Sequence, residues 1–156
     1  MIKKFVNYII KNNLPKPEDN FYILLAVSGG IDSVVMCDIF HKLNYKFSIA
    51  HANFGLRDKD SELDQQFVEN LALKYNVKCY SKKFETEIYA KKNKLSIQMA
   101  ARELRFNWFY EICNSNSFNF IATAHHSDDQ TETFFVNLFR GASLNAIGGI
   151  KPISGK

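Results

Sequence analysis

The chain is 156 residues long, enough for one domain with a core of its own and short for two. With 46% hydrophobic and 23% charged residues it reads as a globular protein, which excludes the disordered and fibrous classes. A net charge of +4 allows an anionic partner, such as a nucleotide or RNA, without requiring one.

The N-terminal "MIKKFVNYIIKNN" places Ile2, Phe5, Val6 and Ile9 at helical spacing, broken by lysine and asparagine. It predicts an amphipathic helix, not a secretory signal or a membrane span. After the Pro- and Asn-rich connection "NNLPKPEDN", residues 22–27 form a short continuous apolar run, suited to a parallel strand buried on both faces. Met36, Ile39, Phe40 and Leu43 then mark a helix at i, i+3, i+4, i+7. A second strand is expected over 47–51, and a long helix carries Leu63, Phe67, Leu71 and Tyr75 on its apolar face. Residues 77–84 read as a third strand. A helix from 96 to about 113 turns Ile97, Ala101, Leu104 and Trp108 inward, and a fourth strand ends at Ala124. Ser127 opens a last helix with Phe135, Leu138, Phe139 and Ala142 on one face. Strands alternating with helices imply right-handed crossovers and a doubly wound parallel α/β sheet. Cys37, Cys79 and Cys113 are far apart, which suggests neither a disulfide framework nor a zinc site and fits a reducing cytoplasm.

Ligands of such sheets sit beyond the carboxyl ends of the strands, and the polar clusters "SGGIDS", "HANFGLR" and "HHSDDQTET" fall there. Ser28, Gly29 and Gly30 lie between a strand and a helix, where the backbone can turn tightly and aim N–H groups at an anion. The stretch matches neither the Walker A loop nor the dinucleotide fingerprint, and it has no lysine. Asp32 would repel a phosphate directly, so its natural role is to hold a bridging Mg²⁺. The plain alternative is a helix-capping turn.

Arg102 and Arg105, three apart on a helix, project from neighbouring sides of one face, which by spacing alone is a solvated face. Ser127 with Gln130 makes a capping box, and Asp128 suits the first helical turn. That leaves Asp129 and Glu132, whose i, i+3 spacing presents two carboxylates together, and the adjacent His125 and His126. A metal site on His125 and Asp129 is a weaker alternative, because a further ligand is missing. Arg140 and Gly141 read as a helix C-cap. Lys82, Lys83, Lys91, Lys92 and Lys94 form either an RNA-facing run or a solvated charged face.

"SGGIDS" resembles the signature of the PP-loop ATP pyrophosphatases, which cleave ATP between the α- and β-phosphates. "HANFGLR", "ARELRF", "ATAHHSDDQTET" and "RGASLNAIGGI" follow in the order and spacing of the tRNA-Ile lysidine synthase family, so the resemblance runs from about Tyr22 to Ile150. It implies a Rossmann-like sheet of the adenine nucleotide alpha hydrolase type. It also implies ATP and Mg²⁺ as cofactors, with L-lysine and a tRNA-Ile bearing a CAU anticodon as partners. In that chemistry ATP adenylates C2–O of the wobble cytidine, and the lysine amine then displaces AMP.

Carried over by resemblance, Ser28, Gly29, Gly30, Ile31, Asp32, Ser33 and His51 bind ATP, and Asp32 holds the metal. Arg102 and Arg105 face a phosphate or the charge developing on the cytidine, His125 orients a phosphate or moves a proton, and Asp129 and Glu132 receive the lysine. Two departures stand out. Phe54 replaces the second histidine of the family's H-x-N-H-x-L-R, and the sequence ends at "KPISGK", before the tRNA-gripping domains of family members. The expectation is therefore a single PP-loop catalytic domain over 1–156. The rival readings are a sulfur-inserting or amidating PP-loop enzyme and a non-catalytic adenine-nucleotide-binding module. The oligomeric state leaves no mark in the sequence, so a homodimer stays open.

Overall fold

The structure is a computed structural model that describes residues 2–124. The expected last helix, with Phe135, Leu138, Phe139 and Ala142, lies outside the described residues. The chain divides into two compact units, Lys16–Thr123 and a second made of Met1–Pro15 with 124–156. Of the second, the described part is chiefly helix α1 (Ile2–Lys11), in which Ile9 is buried and Ile2, Phe5 and Val6 are half-buried, the face expected.

The larger unit is built on four parallel strands, β1 (Tyr22–Ala26), β2 (Lys46–Asn53), β3 (Cys79–Lys83) and β4 (Phe120–Thr123), in the order β3-β2-β1-β4. Helices α2 (Ile31–Lys42), α3 (Asp58–Tyr75), α4 (Thr86–Asn93) and α5 (Ile97–Asn116) complete it, with a 3-10 turn at Pro17–Asp19. The expected strands are all present, and β2 runs two residues past His51. Since β1 is flanked by β2 on one side and β4 on the other, the winding reverses beside it, and the crevice at the carboxyl end of β1 is the sheet's switch point.

Side chains alternate across this sheet and both faces are covered. Leu24 and Ala50 share one face with Phe84, Trp108, Phe109, Ile112 and Phe118, so α5 packs there. Ile23, Leu25, Phe47 and Ile49 fill the other face, where the Phe40 ring of α2 meets Phe47 edge to face at 6.3 Å. This double coverage is why β1 reads as an unbroken apolar run.

Helix α3 presents a different face from the expected one, and α5 departs from its expected face only at Ile97. On α3 the buried residues are Ser61, Val68, Leu71, Ala72 and Tyr75, whereas Leu63 and Phe67 are 60% and 46% exposed. A stride of four residues advances about 40° beyond a full turn, so a row such as 63-67-71-75 winds around the helix and only its end reaches the sheet. The first turns of α3 are anchored by polar contacts instead. On α5 Ala100, Trp108, Phe109 and Ile112 are buried, Leu104 is partly buried, and Ile97 is exposed.

Helix α4, absent from the expected elements, absorbs part of the lysine run. Lys91 and Lys92 sit in its last turn, where cations complement the helix dipole, and Lys94 caps it with a positive φ of 55°. Lys83 pairs with Glu62 at 2.9 Å, and Lys82 lies over the Phe84 ring.

Two outcomes are expected from this packing. Leu24→Ala, at a fully buried central position, should lower stability by about 2–5 kcal/mol, read by denaturant titration of the single tryptophan, Trp108. Burial foremost, with the nearby Cys79, pushes the Cys37 thiol up to about 12. Because the folded state retains this proton, its contribution to stability is complete below the unfolded thiol value of about 8.5 and is lost as pH rises toward 12. Alkylation of native protein at pH 8 should spare Cys37 until unfolding, and prompt labelling of Cys37 with the fold intact would contradict this assignment.

Candidate functional site: the loop at the end of strand β1

The strand-to-helix turn is held from below by β2. Val27 N–H donates to the Ala50 carbonyl at 2.9 Å, and the Val27 carbonyl meets His51 Nδ1 at 2.8 Å. His51 is only 3% exposed, inside β2 and not at its end, and its Nδ1 fixes the base of the loop. Above it the chain reverses at Gly29, whose φ of +95° belongs to glycine. Gly30 then serves as the N-cap of α2 in an extended conformation, with no side chain capping the helix. A Cβ at Gly30 would stand 3.3 Å from Ser28 Oγ, so the turn is closed on that side.

Hydroxyls hold the turn in shape. Gly30 N–H donates to Ser28 Oγ at 3.2 Å, buried Ser33 donates to the Gly30 carbonyl at 2.8 Å, and the two serine oxygens lie 3.3 Å apart. Ile31 is 78% exposed and Asp32 is exposed in the first helical turn. The expected residues Ser28, Gly29, Gly30, Ile31, Asp32, Ser33 and His51 are thus brought together around one turn. An uncapped helix start behind a glycine turn fits a phosphate chain. Among the described residues no group of three or more His, Cys, Asp and Glu could hold a metal ion. A single carboxylate suits Mg²⁺ that takes its other ligands from phosphate and water.

The sequence reading missed the second wall of this loop. The side chain of Asp64, on α3, comes within 3.5 Å of the place a Cβ would take at Gly29. Arg57 Nη2 donates to Asp64 Oδ2 at 2.6 Å. The segment bearing Arg57 is tied down by its neighbours. Buried Asn53 accepts from Gly55 N–H at 2.9 Å and donates to the Ser61 carbonyl and to Gln65 Oε1, and Arg57 N–H donates to Ser61 Oγ. Behind it, Glu69 accepts from Ser81 at 2.6 Å and from Gln65, which hold its carboxyl below the usual range, with the nearby His51 contributing last. The signal was present in "HANFGLR", but its partner lies seven residues on.

Arg102 and Arg105 lie on α5, each over the Phe106 ring at 5.1 and 5.2 Å. Arg105 is half-buried, and its Nε has no hydrogen-bond partner among the described residues. Burial, and then the charge of Arg102, draws its pKa below the ordinary guanidinium value. Two cations sharing one ring, one with an unanswered donor, form a place where an anion relieves both repulsion and desolvation. His125, His126, Asp129, Glu132, Arg140 and Gly141 lie outside the described residues. No helix among the described residues is long and apolar enough to cross a membrane.

Comparison with known proteins agrees with this geometry. The tRNA(Ile)-lysidine synthase of Bacteroides thetaiotaomicron is 41% identical over 153 residues, covering 98% of this chain and 35% of the relative. That of Thermosipho africanus is 42% identical over 159 residues, covering 99% and 36%, and that of Petrotoga mobilis 38% over 157 residues, covering 97% and 48%. The chain thus spans about a third to a half of these relatives' length. In fold it is similar to the NMN synthetase of Francisella tularensis, with a TM-score of 0.58 at 14% identity over 96% of this chain and 73% of that one. The NH3-dependent NAD synthetase of Campylobacter jejuni gives 0.55 at 14%, over 94% and 73%. A model of the PP-loop domain matches residues 2–156, and with the glycine turn at the switch point of a parallel sheet this makes the chain a member of the PP-loop domain family.

Proposed function

We propose that this chain is the ATP-dependent catalytic domain of a tRNA(Ile)-lysidine synthase, acting over residues 1–156 as one PP-loop domain. The observation that carries the reading is the uncapped Gly29–Gly30 turn at the switch point, in a chain about 40% identical to relatives of that name. In this reading the turn receives the triphosphate of ATP, with Ser28 and the first N–H groups of α2 as donors and Ser33 binding it by holding the turn through the Gly30 carbonyl. Mg²⁺, held by Asp32, would neutralise charge on the phosphates. His51 acts on the turn through the Val27 carbonyl.

The wobble cytidine's C2 oxygen attacks the α-phosphorus and the bond to the β-bridging oxygen breaks, releasing pyrophosphate. The lysine amine, after losing a proton, attacks C2, and the C2–O bond breaks to release AMP. Arg102 and Arg105 serve the anionic side of this chemistry, because Arg105 has a buried donor without a partner among the described residues. Asp129 and Glu132 receive the ammonium groups of lysine, and His125 moves a proton or orients a phosphate, roles that rest on the resemblance of "HHSDDQTET". Three free thiols, all raised in pKa by burial, fit a reducing cytoplasm.

The deciding experiment is pyrophosphate release from ATP with Mg²⁺ and lysine, comparing a CAU-anticodon tRNA with the same tRNA altered at its wobble cytidine. It is run on this chain and on the full length typical of the relatives. Release that needs the cytidine is expected, and release indifferent to it would overturn the reading. Asp129→Ala should raise the lysine KM roughly tenfold or more, the weight of a charged hydrogen bond, while ATP affinity stays within about twofold. Equal loss of both would remove the lysine assignment.

A further inference from the structure

A loop that receives a triphosphate has to answer up to four negative charges, yet "SGGIDS" contains an acid and no base. A second acid lies against it, since the Asp64 carboxylate stands at the Gly29 turn. Two carboxylates beside an anion site are repulsive unless a cation is fixed among them. The structure supplies one. Among the described residues Arg57 is bonded to Asp64 through one nitrogen, Nη2, and its side chain is 68% exposed, leaving the rest of the guanidinium fork open there.

Resting on the reading above, we infer that Arg57 is the cation of this loop, holding the β- and γ-phosphates of ATP and then the departing pyrophosphate, with Asp64 as its positioning residue. Three observations support it. Asp64, the acid of the ion pair, comes within 3.5 Å of the place a Cβ would take at Gly29, on the turn where the phosphates would lie. The backbone that carries Arg57 is fixed by Asn53, Ser61 and the Phe54 carbonyl, which accepts from Thr86 Oγ1 at 2.8 Å. A guanidinium steadied by a carboxylate on one edge presents its other edge for bidentate contact with phosphate, which a lysine would not match. As pyrophosphate leaves, negative charge grows on the oxygen nearest this group, so the contact strengthens as the α–β bond breaks.

The test is calorimetric titration of the whole chain with a non-hydrolysable ATP analogue and with AMP, both with Mg²⁺, for the unsubstituted protein and for Arg57→Ala, Arg57→Lys and Asp64→Asn. Arg57→Ala should weaken the ATP analogue on the order of tenfold to a hundredfold and leave AMP within about twofold. Arg57→Lys should fall between, and Asp64→Asn should show the same selective loss, smaller in size. An exposed ion pair adds little stability, so all three variants should keep the denaturation midpoint of the parent. If AMP binds too weakly to titrate, competition by inorganic pyrophosphate against a labelled ATP analogue reads the same contact. Loss shared equally by ATP analogue and AMP, or no loss, overturns the inference while leaving nucleotide binding in place. So does a result in which Asp64→Asn abolishes Mg²⁺ dependence and Arg57→Ala changes nothing, since Asp64 would then be a metal ligand. An unsubstituted protein that binds neither nucleotide overturns the underlying reading and this inference with it.

Discussion

Strand β1 is paired on both sides by parallel neighbours and buried on both faces, so nothing about its carboxyl end is free to move. Two hydrogen bonds, from Val27 N–H to the Ala50 carbonyl and between the His51 ring Nδ1 and the Val27 carbonyl that accepts it, carry this order one residue beyond the strand. Everything the loop does depends on it. Gly29 and Gly30 contribute no side-chain packing, and a glycine turn on a loose support would lose much of its order when unliganded. Placed on a fixed base, the same turn keeps its N–H groups aimed and asks little reorganisation when an anion arrives.

The electrostatics of the site follow from where α3 lies. The helix covers the β2–β3 side of the sheet, and its buried apolar residues begin only at Val68. Its first turns therefore have no apolar seat, and polar groups take over: Ser61 and Gln65 engage Asn53, Asp64 engages Arg57, and Glu69 engages Ser81. The segment that packs least against the core thus becomes the wall of the loop. Asp64 is brought to the turn by a helix whose apolar stripe has not yet begun, and it carries Arg57, the N-cap of that helix, as its ion-pair partner. On the opposite face α5 is seated by Trp108 and Phe109, and Arg102 and Arg105 are displayed around Phe106 earlier in the same helix.

Strand β1 was legible because it is a compact apolar run buried along its middle, and β2 is buried along most of its length, whereas β3 (CYSKK) is half-buried to exposed and β4 half-buried. The glycine turn was legible because only a strand-to-helix junction uses that pattern. Helix faces were less so, since rows such as Leu63 to Tyr75 fit an apolar stripe until the drift of the helix and the polar anchoring of its first turn are known. Helix α4 was hidden by its composition: "TEIYAKKN" has three charged residues in eight and buries only Thr86 and Ala90. Arg57 and Asp64 were invisible as a pair, because either one alone is an ordinary charge on a solvated surface. Their meaning comes from Gly29, which neither touches in sequence.

Position 54 shows how the same segment gives an aromatic ring a seat in the core while its backbone shapes the loop. The H-x-N-H-x-L-R pattern that "HANFGLR" resembles has a histidine there, and this chain has phenylalanine. The Phe54 ring stacks on Phe84 with centroids 5.8 Å apart and joins the cluster around Trp108, while its carbonyl accepts from buried Thr86. An apolar ring gains from that seat what an imidazole would have had to recover through a hydrogen bond. The backbone from Asn53 to Arg57 is held by hydrogen bonds that do not use the side chain at 54. Because Arg57 is positioned by that backbone and by Asp64, not by the side chain at 54, the substitution leaves the cationic wall of the loop intact.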